Sequence, residues 1–296
     1  MLKTFSLLVF LTLVLWNFKA FAQSNSLKNQ VIEIAKEAKA TIGISIFNIE
    51  TRKRVSYNEN LHLPMQSVMK FPIAITVLHK IDEGKLKQDQ LIHIDKEDLP
   101  ETYSPLRDKF PEGNIDVSIK DLLSYMVSLS DNDACDILLK TIGGPKQVDT
   151  YMHQLSVKNI SVKASEFQMA QNWNVQFTNW CEPAAMTQLL DLSLRANFLS
   201  RNSHAFLWKI LQETSTGPKQ LKGLLPEGTI VAHKTGRSGT NKQGITAATN
   251  DVGVITLPNG KHLAIAIFIS NSSVDLATRE SVIARIAKAV YKDGLN

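Results

Sequence analysis

Strand-like segments lie at opposite ends of the chain, and this arrangement constrains the fold more than any other feature of the sequence. Residues 41–47 (TIGISIF) alternate in polarity and are rich in β-branched side chains, and residues 54–57 resemble a hairpin partner. Near the carboxy terminus, three more segments have strand character: 229–234, 246–257 and 262–270. Strands from the two ends of a chain most simply join one antiparallel sheet.

The middle of the chain is dominated by helical patterns. Apolar residues recur at helical spacing in five segments: 120–129, 134–139, 146–155, 184–194 and 203–214. Two further helices are predicted beside the strands, at 26–40 and 281–291. We therefore predict an α+β fold, with an antiparallel sheet from both chain ends flanked by helices and an inserted all-α lobe. The predicted boundaries are 23–62 and 213–296 for the α/β lobe and 63–212 for the all-α lobe.

The amino terminus has the pattern of a cleaved signal peptide. Lys3 precedes an apolar stretch, residues 5–16, and small residues at Ala20 and Ala22 offer a cleavage site. The apolar stretch is short for a membrane span, and no later segment approaches one. We predict a signal peptide over residues 1–22 and an exported, periplasmic protein with no stable membrane association.

Charge and metal-ligand patterns exclude several classes of function. The formal charge of the whole chain is +5, and loss of residues 1–22 would lower it to +3. No run of lysine or arginine suggests a nucleic-acid partner. The seven histidines are scattered, which argues against a zinc hydrolase. Cys135 lies in an apolar helical pattern and is expected to be a buried free thiol, although the sequence leaves open whether it pairs with Cys181.

Ser67 and Lys70 form the only S-x-x-K sequence in the chain. They open an apolar run, residues 71–78, that predicts a buried helix. Residues three apart share one face of a helix, so the Lys70 amine can reach the Ser67 hydroxyl and activate it as a nucleophile. Pro72 lacks a backbone donor, and a local distortion just after Ser67 is expected. The pair alone is weak evidence, because such a motif arises by chance.

Two more short motifs follow in order: Ser130-Asp131-Asn132 and Lys234-Thr235-Gly236. Alone, the first could be a helix cap and the second the end of a strand. Together with Ser67 and Lys70, and after a signal peptide, they resemble the class A β-lactamases and the related penicillin-binding proteins. The resemblance covers essentially the whole mature chain. It implies the fold of the β-lactamases and D,D-peptidases.

Glu166 distinguishes among these relatives. It lies in a long irregular segment, residues 159–183, and resembles the glutamate that class A β-lactamases carry on an Ω-shaped loop. A solvated loop acid is the simpler alternative. A D,D-peptidase would share the three motifs without this glutamate's function. A penicillin-sensing domain would need a membrane span or a partner domain, and the sequence indicates neither.

Within class A, the chain resembles the PER-type enzymes and the chromosomal cephalosporinases of the same pattern. The similarity is carried by 130–136, by Asn179-Trp180, by 233–236 and by 247–251. The chain departs from the commoner pattern around Glu166. Ala170 and Asp136 each stand where an asparagine is usual, and Ala164 and Asn179 replace an arginine–aspartate pair that usually closes the loop. We therefore expect a loop of different shape, a roomier pocket and a broad-spectrum cephalosporinase.

The resemblance implies acyl transfer in two steps, without a metal or organic cofactor. Ser67 would attack the lactam carbonyl, and the backbone N–H groups of Ser67 and Arg237 would form the oxyanion hole. Ser130 would pass a proton to the departing nitrogen. Glu166 would then activate water for deacylation. The acylation base is either Lys70 or Glu166 acting through a water, and the sequence leaves both open.

The same resemblance assigns a set of residues to substrate binding: Tyr103, Asn132, Lys234, Thr235, Gly236 and Arg237. The expected partner is a small-molecule β-lactam, and the expected state is a monomer. Lys234 and Thr235 would bind the substrate carboxylate, and Asn132 would hold the side-chain amide. Arg237 could instead be a solvated side chain, and Tyr103 an ordinary loop tyrosine rather than a wall of the pocket mouth.

Overall fold

The computed structural model describes residues 26–195 and 198–294, so the predicted signal peptide lies outside the described residues. The helices are α1 (26–36), α2 (Lys70–Asp82), α3 (Pro105–Lys109), α4 (Ile119–Ser128), α5 (Asn132–Ile142), α6 (Pro145–Gln154), α7 (Glu166–Gln171), α8 (Pro183–Leu194), α9 (Arg201–Gln212) and α10 (Leu276–Asp293). The strands are β1 (Thr41–Asn48), β2 (Arg54–Tyr57), β3 (Leu63–Pro64), β4 (Leu91–Ile94), β5 (Ile115–Ser118), β6 (Ile160–Ser161), β7 (Trp180–Cys181), β8 (Val231–Arg237), β9 (Thr246–Thr256) and β10 (His262–Ser272).

The main sheet joins the two ends of the chain, as the sequence predicts. Its five strands follow the order β2-β1-β10-β9-β8, and every neighbouring pair is antiparallel. The first strand of the chain pairs with the last along its whole length, from Thr41 opposite Ser270 to Asn48 opposite Leu263. The predicted α+β fold is confirmed.

The two faces of this sheet belong to two hydrophobic clusters because side chains alternate along a strand. In β10, Ile265, Ile267 and Ile269 face one cluster, which also contains apolar residues of α1 and α10. Ala264, Ala266 and Phe268 face the other, which contains the helices of the middle of the chain. Helix α2 is buried from Lys70 to Leu78 and lies in this second cluster, which explains why its sequence is apolar on all sides.

The middle segment contains short strands as well as helices. Strands β4 and β5 form a two-stranded antiparallel sheet in a stretch where the sequence predicts no strand. Strands β3, β7 and β6 form a three-stranded sheet that brackets the loop carrying Glu166. The division into two lobes at residues 62/63 and 212/213 remains a prediction.

Two predictions about single elements can be compared with the structure directly. Cys135 and Cys181 are both buried free thiols, which confirms the expectation for Cys135. Among the described residues, no helix combines the length and apolarity that crossing a bilayer requires.

Candidate active site

Ser67 lies in a 3₁₀ turn, Gln66–Met69, and α2 begins only at Lys70. The sequence predicted one continuous helix, so the start of that prediction is wrong. Pro72 falls in the first turn of α2, where backbone N–H groups have no partner within the helix and its missing donor costs little. The tighter turn still brings Lys70 Nζ to 3.0 Å from Ser67 Oγ.

Lys70 connects the groups that the motifs place far apart in the sequence. Its ammonium is fully buried and donates to the Ser130 carbonyl oxygen at 2.7 Å and to Asn132 Oδ1 at 2.6 Å. It also pairs with Glu166 Oε1 at 2.9 Å. Ser67 Oγ in turn lies 3.2 Å from the same Glu166 oxygen. Both candidate bases therefore reach the Ser67 hydroxyl directly.

Glu166 is the first residue of α7, and Asp136 fixes its position. The carboxylate of Asp136, on α5, accepts hydrogen bonds from the backbone N–H groups of Glu166 and Phe167, each at 2.8 Å. A carboxylate suits a helix amino terminus, where the N–H groups lack partners and the dipole is positive. Burial raises the pKa of Asp136, and the two backbone hydrogen bonds act in the opposite direction. Asp136, which stands where an asparagine is usual, thus holds the start of α7 in place.

Asn179 closes the base of the loop where an ion pair is usual in class A. Its Oδ1 accepts from the backbone N–H groups of Lys163 at 2.7 Å and Ala164 at 2.9 Å. Its Nδ2 donates to the Ala164 carbonyl oxygen at 2.8 Å. The Asn179 carbonyl also accepts from Met65 N–H at 2.9 Å, which links the loop to the turn that carries Ser67.

Ser130 and Lys234 meet on the opposite side of the cleft. Lys234 Nζ is fully buried and donates to Ser130 Oγ at 2.9 Å. Burial lowers the pKa of Lys234 to about 7, and the nearby charge of Lys70 acts in the same direction. Ser130 has φ +61°, in the left-handed region, and the following residue, Asp131, caps α5. The turn before α5 therefore sets the position of the Ser130 hydroxyl.

Strand β8 approaches the Ser67 turn closely because residue 236 has no side chain. A Cβ at Gly236 would collide with the Met65 carbonyl oxygen. Asn250 on the neighbouring strand fixes the same turn by donating to the Pro64 carbonyl at 2.8 Å. Gly236 thus allows the residues on either side of it, Thr235 and Arg237, to reach the cleft.

The cleft is a cavity of about 750 Å³. Most of the predicted residues line it: Ser67, Tyr103, Ser130, Asn132, Glu166, Thr235 and Arg237. The others lie directly behind this wall, since Lys70 bonds to Ser67, Lys234 bonds to Ser130, and Gly236 separates Thr235 from Arg237. Tyr103 is 58% exposed, as a residue at the mouth would be.

A pair of glutamines that no sequence motif indicates links the loop to the turn that carries Ser67. Gln66 Nε2 donates to Gln176 Oε1 at 2.5 Å, and Gln176 Nε2 donates to the Trp173 carbonyl at 2.7 Å. Gln66 has φ +49°, a conformation that costs a non-glycine residue on the order of 1–3 kcal/mol. No local sequence pattern predicts a glutamine in the left-handed backbone conformation. The only feature of the sequence that could have drawn attention to Gln66 is its position next to Ser67.

Comparison with known proteins identifies the family. The model of the "Beta-lactamase enzyme family" matches residues 26–293. The chain is 46% identical to beta-lactamase VEB-1 of Pseudomonas aeruginosa over 98% of this chain and 97% of that protein. It is 40% identical to extended-spectrum beta-lactamase PER-1 of the same organism, over 95% and 92%.

A solved structure described as a representative of class A beta-lactamase from Bacteroides cellulosilyticus superposes with a TM-score of 0.87. It is 38% identical, over 91% of this chain and 97% of that one. The similarity to PER-1 agrees with the PER-type pattern of the motifs. Because the family model and these relatives extend over nearly all of the described residues, the chain belongs to the β-lactamase enzyme family, in class A.

Proposed function

We propose that this protein hydrolyses β-lactams through an acyl-enzyme on Ser67. One observation carries the proposal: Ser67 Oγ lies within hydrogen-bond distance of both Lys70 Nζ (3.0 Å) and Glu166 Oε1 (3.2 Å). A nucleophile flanked by two basic groups can be deprotonated for attack, and the same glutamate remains available for the second half of the reaction.

Acylation begins when Ser67 Oγ attacks the lactam carbonyl and gives its proton to Lys70 or Glu166. The oxyanion is held by the backbone N–H groups of Ser67 and Arg237. As the C–N bond breaks, Ser130 passes its hydroxyl proton to the nitrogen. Lys234 donates to Ser130 Oγ at 2.9 Å and can restore that proton. The proton released by Ser67 then replaces the one that Lys234 gives up, so Glu166 is again free to act as a base in the second step. Both candidate acylation bases stay open.

Deacylation uses Glu166 as the base for a water molecule that attacks the ester on Ser67. A positioned base of this kind typically contributes about 10²–10⁴ in rate. The two hydrogen bonds from the start of α7 to Asp136 support this role because they fix the backbone of Glu166 relative to α5. The hydrogen bond between Gln66 and Gln176 supports the same role of Glu166, because it fixes the other end of the loop.

Recognition follows from charge and shape. The carboxylate of a β-lactam would bind to Lys234 and Thr235, with Arg237 adding positive charge at the exposed end of β8. Asn132 would hold the side-chain amide of the substrate, and Tyr103 would form the wall of the mouth. Asn132 is preset for this role because its amide is held by Lys70 and by the Thr102 hydroxyl, the latter at 2.8 Å.

The ionisation of Lys234 predicts an alkaline limb in the pH profile. Its pKa of about 7 means that the free enzyme carries this cation below pH 7 and loses it above, so binding of the substrate carboxylate should weaken as pH rises. We expect kcat/KM to fall above pH 7, approaching about tenfold per pH unit. The Lys234→Arg variant keeps its charge, and if it folds its limb should move to higher pH. A limb at an unchanged pH in this variant would assign the titration to another group.

Export to the periplasm with loss of residues 1–22, and a monomeric state, are part of the same proposal. The apolar stretch after Lys3 and the small residues at Ala20 and Ala22 support the export signal. Amino-terminal sequencing of the protein from the periplasmic fraction would test the cleavage, with Gln23 as the expected first residue.

The alternative function is that of a D,D-peptidase or a penicillin sensor, which stays acylated after one reaction. Steady-state hydrolysis of a chromogenic cephalosporin by the mature protein decides between them. Many turnovers per enzyme molecule support the proposal. A single equivalent of product followed by a stall would contradict it and favour the alternative.

The spectrum is expected to include bulky oxyimino-cephalosporins. The 750 Å³ cleft and the loop closure through Asn179 support this proposal, as does the likeness to a relative named an extended-spectrum β-lactamase. Steady-state constants should be compared for benzylpenicillin, cephalothin and cefotaxime. We expect measurable turnover of all three substrates. Efficient benzylpenicillin turnover with undetectable cefotaxime turnover would contradict the proposed broad spectrum but not the proposed hydrolysis of β-lactams.

A further inference from the structure

A buried histidine–aspartate pair lies on β8 and β9, on the face of the sheet opposite to the Lys234 side chain. His233 Nδ1 lies 2.9 and 3.1 Å from the two carboxylate oxygens of Asp251, and both side chains are fully buried. Because side chains alternate along a strand, His233 and Lys234 point to opposite faces. The proposed reaction steps use neither member of the pair, yet burial of a carboxylate is costly unless its interactions compensate for it.

The pairing of β8 with β9 leaves room for this histidine because residue 253 has no side chain. Gly253 lies opposite His233 in the register of the two strands. A Cβ at Gly253 would collide with Cα and Cβ of His233 and with the Ala232 carbonyl oxygen. A larger residue on β9 would therefore displace the strand that carries the imidazole.

The hydrogen bonds indicate where the proton of His233 lies. Asp251 Oδ2 also accepts the backbone N–H of Leu221 at 3.1 Å, so the carboxylate acts as an acceptor. His233 Nε2 is buried and has no hydrogen-bond partner among the described residues. An N–H group at Nε2 would be buried without an acceptor, so the proton lies on Nδ1, which donates a hydrogen bond to Asp251. This tautomer is neutral, and the pair therefore keeps the negative charge of Asp251.

The pair also anchors residues 214–221, a segment that lies beside β8. At one end of the segment, Thr214 Oγ1 donates to the His233 carbonyl oxygen at 2.8 Å. At the other end, the Leu221 N–H donates to the carboxylate of Asp251. The segment is therefore fixed at both ends to the two residues of the pair.

The anchored segment holds Thr235, which is proposed to bind the substrate carboxylate. Thr216 Oγ1 and Thr235 Oγ1 lie 2.6 Å apart and share a hydrogen bond. Gly217 packs so closely on Thr235 that a Cβ at residue 217 would collide with Thr235 Cγ2. Thr216, Gly217 and Thr235 all line the cleft. Displacement of the segment would therefore move the Thr235 hydroxyl within the cleft.

The negative charge of the pair also acts on Lys234. Burial lowers the pKa of Lys234 to about 7, and the charge of Lys70 acts in the same direction. The carboxylates of Glu166 and Asp251 raise the pKa of Lys234. The titratable groups around Lys234 are Lys70, Cys135, Glu166 and Asp251. The basic groups near Asp251 are Lys222, His233 and Lys234. Loss of the Asp251 charge should therefore lower the pKa of Lys234 further and leave less of this lysine cationic at neutral pH.

We propose that His233 and Asp251 are positioning residues for recognition of the substrate carboxylate. They hold the 214–221 segment against Thr235 and place a negative charge behind Lys234, without touching the substrate themselves. The inference rests on the proposed β-lactam hydrolysis, because that proposal assigns the substrate carboxylate to Lys234 and Thr235.

Benzylpenicillin and its methyl ester test this role, because the ester lacks the carboxylate charge and keeps the reacting lactam. Asp251→Asn keeps the shape of the side chain and removes its charge. We expect kcat/KM to fall about tenfold for benzylpenicillin and less than about twofold for the ester, so their ratio should fall about fivefold or more. Changes in deacylation do not enter the comparison, because kcat/KM covers only the steps up to the acyl-enzyme. An equal fall for both compounds would mean a purely structural role and would overturn the inference.

Titration of Lys234 gives a readout that requires no turnover. In protein labelled with ¹³C at the lysine ε-carbon, NMR should place the Lys234 midpoint at lower pH in Asp251→Asn than in the wild-type protein. The signal is identified by its loss in Lys234→Arg. An unchanged midpoint in Asp251→Asn would overturn the role of the charge.

Thr214→Val isolates the mechanical part of the proposal. It removes the bond between the segment and the His233 carbonyl and changes no charge. This variant should lower the ratio of benzylpenicillin to ester and leave the Lys234 midpoint unchanged. Thermal melts show which variants fold. If Asp251→Asn does not fold, Thr214→Val decides.

Asp82→Asn is the matched control. Asp82 Oδ2 also accepts a backbone N–H, from Ser200 at 2.7 Å, but it lies at the end of α2 that is remote from Ser67. The control variant should keep the wild-type ratio of the two compounds and the wild-type midpoint of Lys234.

The outcomes separate this inference from the proposed function. Benzylpenicillin turnover with an unchanged ratio to the ester in the folded variants would overturn the positioning role and leave the proposed hydrolysis intact. Absence of benzylpenicillin turnover by the wild-type protein would overturn the proposed function and, with it, the role in carboxylate recognition.

Discussion

Ser67→Ala should lose hydrolysis of every β-lactam by several orders of magnitude, because no other hydroxyl takes its place between the two bases. Lys70 Nζ and Glu166 Oε1 lie 3.0 and 3.2 Å from Ser67 Oγ. The variant would therefore keep both bases and lose the hydroxyl group that they deprotonate. Folding should survive, since one small side chain replaces another and the turn is held by backbone contacts. Mass spectrometry after incubation with benzylpenicillin should show no added mass.

The control for this variant is Ser124→Ala, on α4, where the hydroxyl donates to the Lys120 carbonyl at 3.1 Å. It should hydrolyse substrate at the wild-type rate and acquire the penicilloyl group transiently. A stable covalent adduct on Ser67→Ala would show that another residue is the nucleophile.

Glu166→Ala should accumulate the acyl-enzyme. Removal of the base should slow deacylation by about 10²–10⁴ while the ester on Ser67 still forms. Rapid-quench kinetics should show a burst of about one equivalent, followed by a very slow steady state. Wild-type protein under the same conditions should turn over rapidly.

This variant also leaves the buried Lys70 without its carboxylate partner, so Glu166→Gln is the better matched change. If Lys70 is the acylation base, the burst in Glu166→Gln should be nearly as fast as wild-type acylation. If Glu166 is that base, both the burst and the steady state should slow. Turnover of either variant at the wild-type rate would mean that another group deacylates the enzyme.

The sheet could be predicted from the sequence because its signals are local. The alternation in β1 and β10 and their β-branched residues suffice to define strands, and their positions at the two chain ends leave few ways to pair. The pairing of β4 with β5 was missed for the converse reason. Each strand has only four residues, too few for its alternation to stand out from the polar, turn-rich sequence around it.

The motifs identify the proposed catalytic groups but not the residues that hold them in place. Ser165 and Gln168 form a capping box that starts α7, and their spacing was visible in the sequence inside a segment predicted to be irregular. The bond between Gln66 and Gln176 spans 110 residues, and no local pattern predicts such a contact. The departures at Asp136 and Asn179 were recognised, yet their partners are backbone groups, which a sequence does not identify.

Loop closure by Asn179 depends neither on an ionisable side chain nor on a counter-ion. The interactions that fix it are neutral hydrogen bonds between one buried amide and the backbone of residues 163 and 164. An arginine–aspartate closure weakens when dissolved ions screen it or when acid neutralises the carboxylate. The Asn179 hydrogen bonds have no such sensitivity, so they should persist from high to low ionic strength and at acid pH that would release an ion pair.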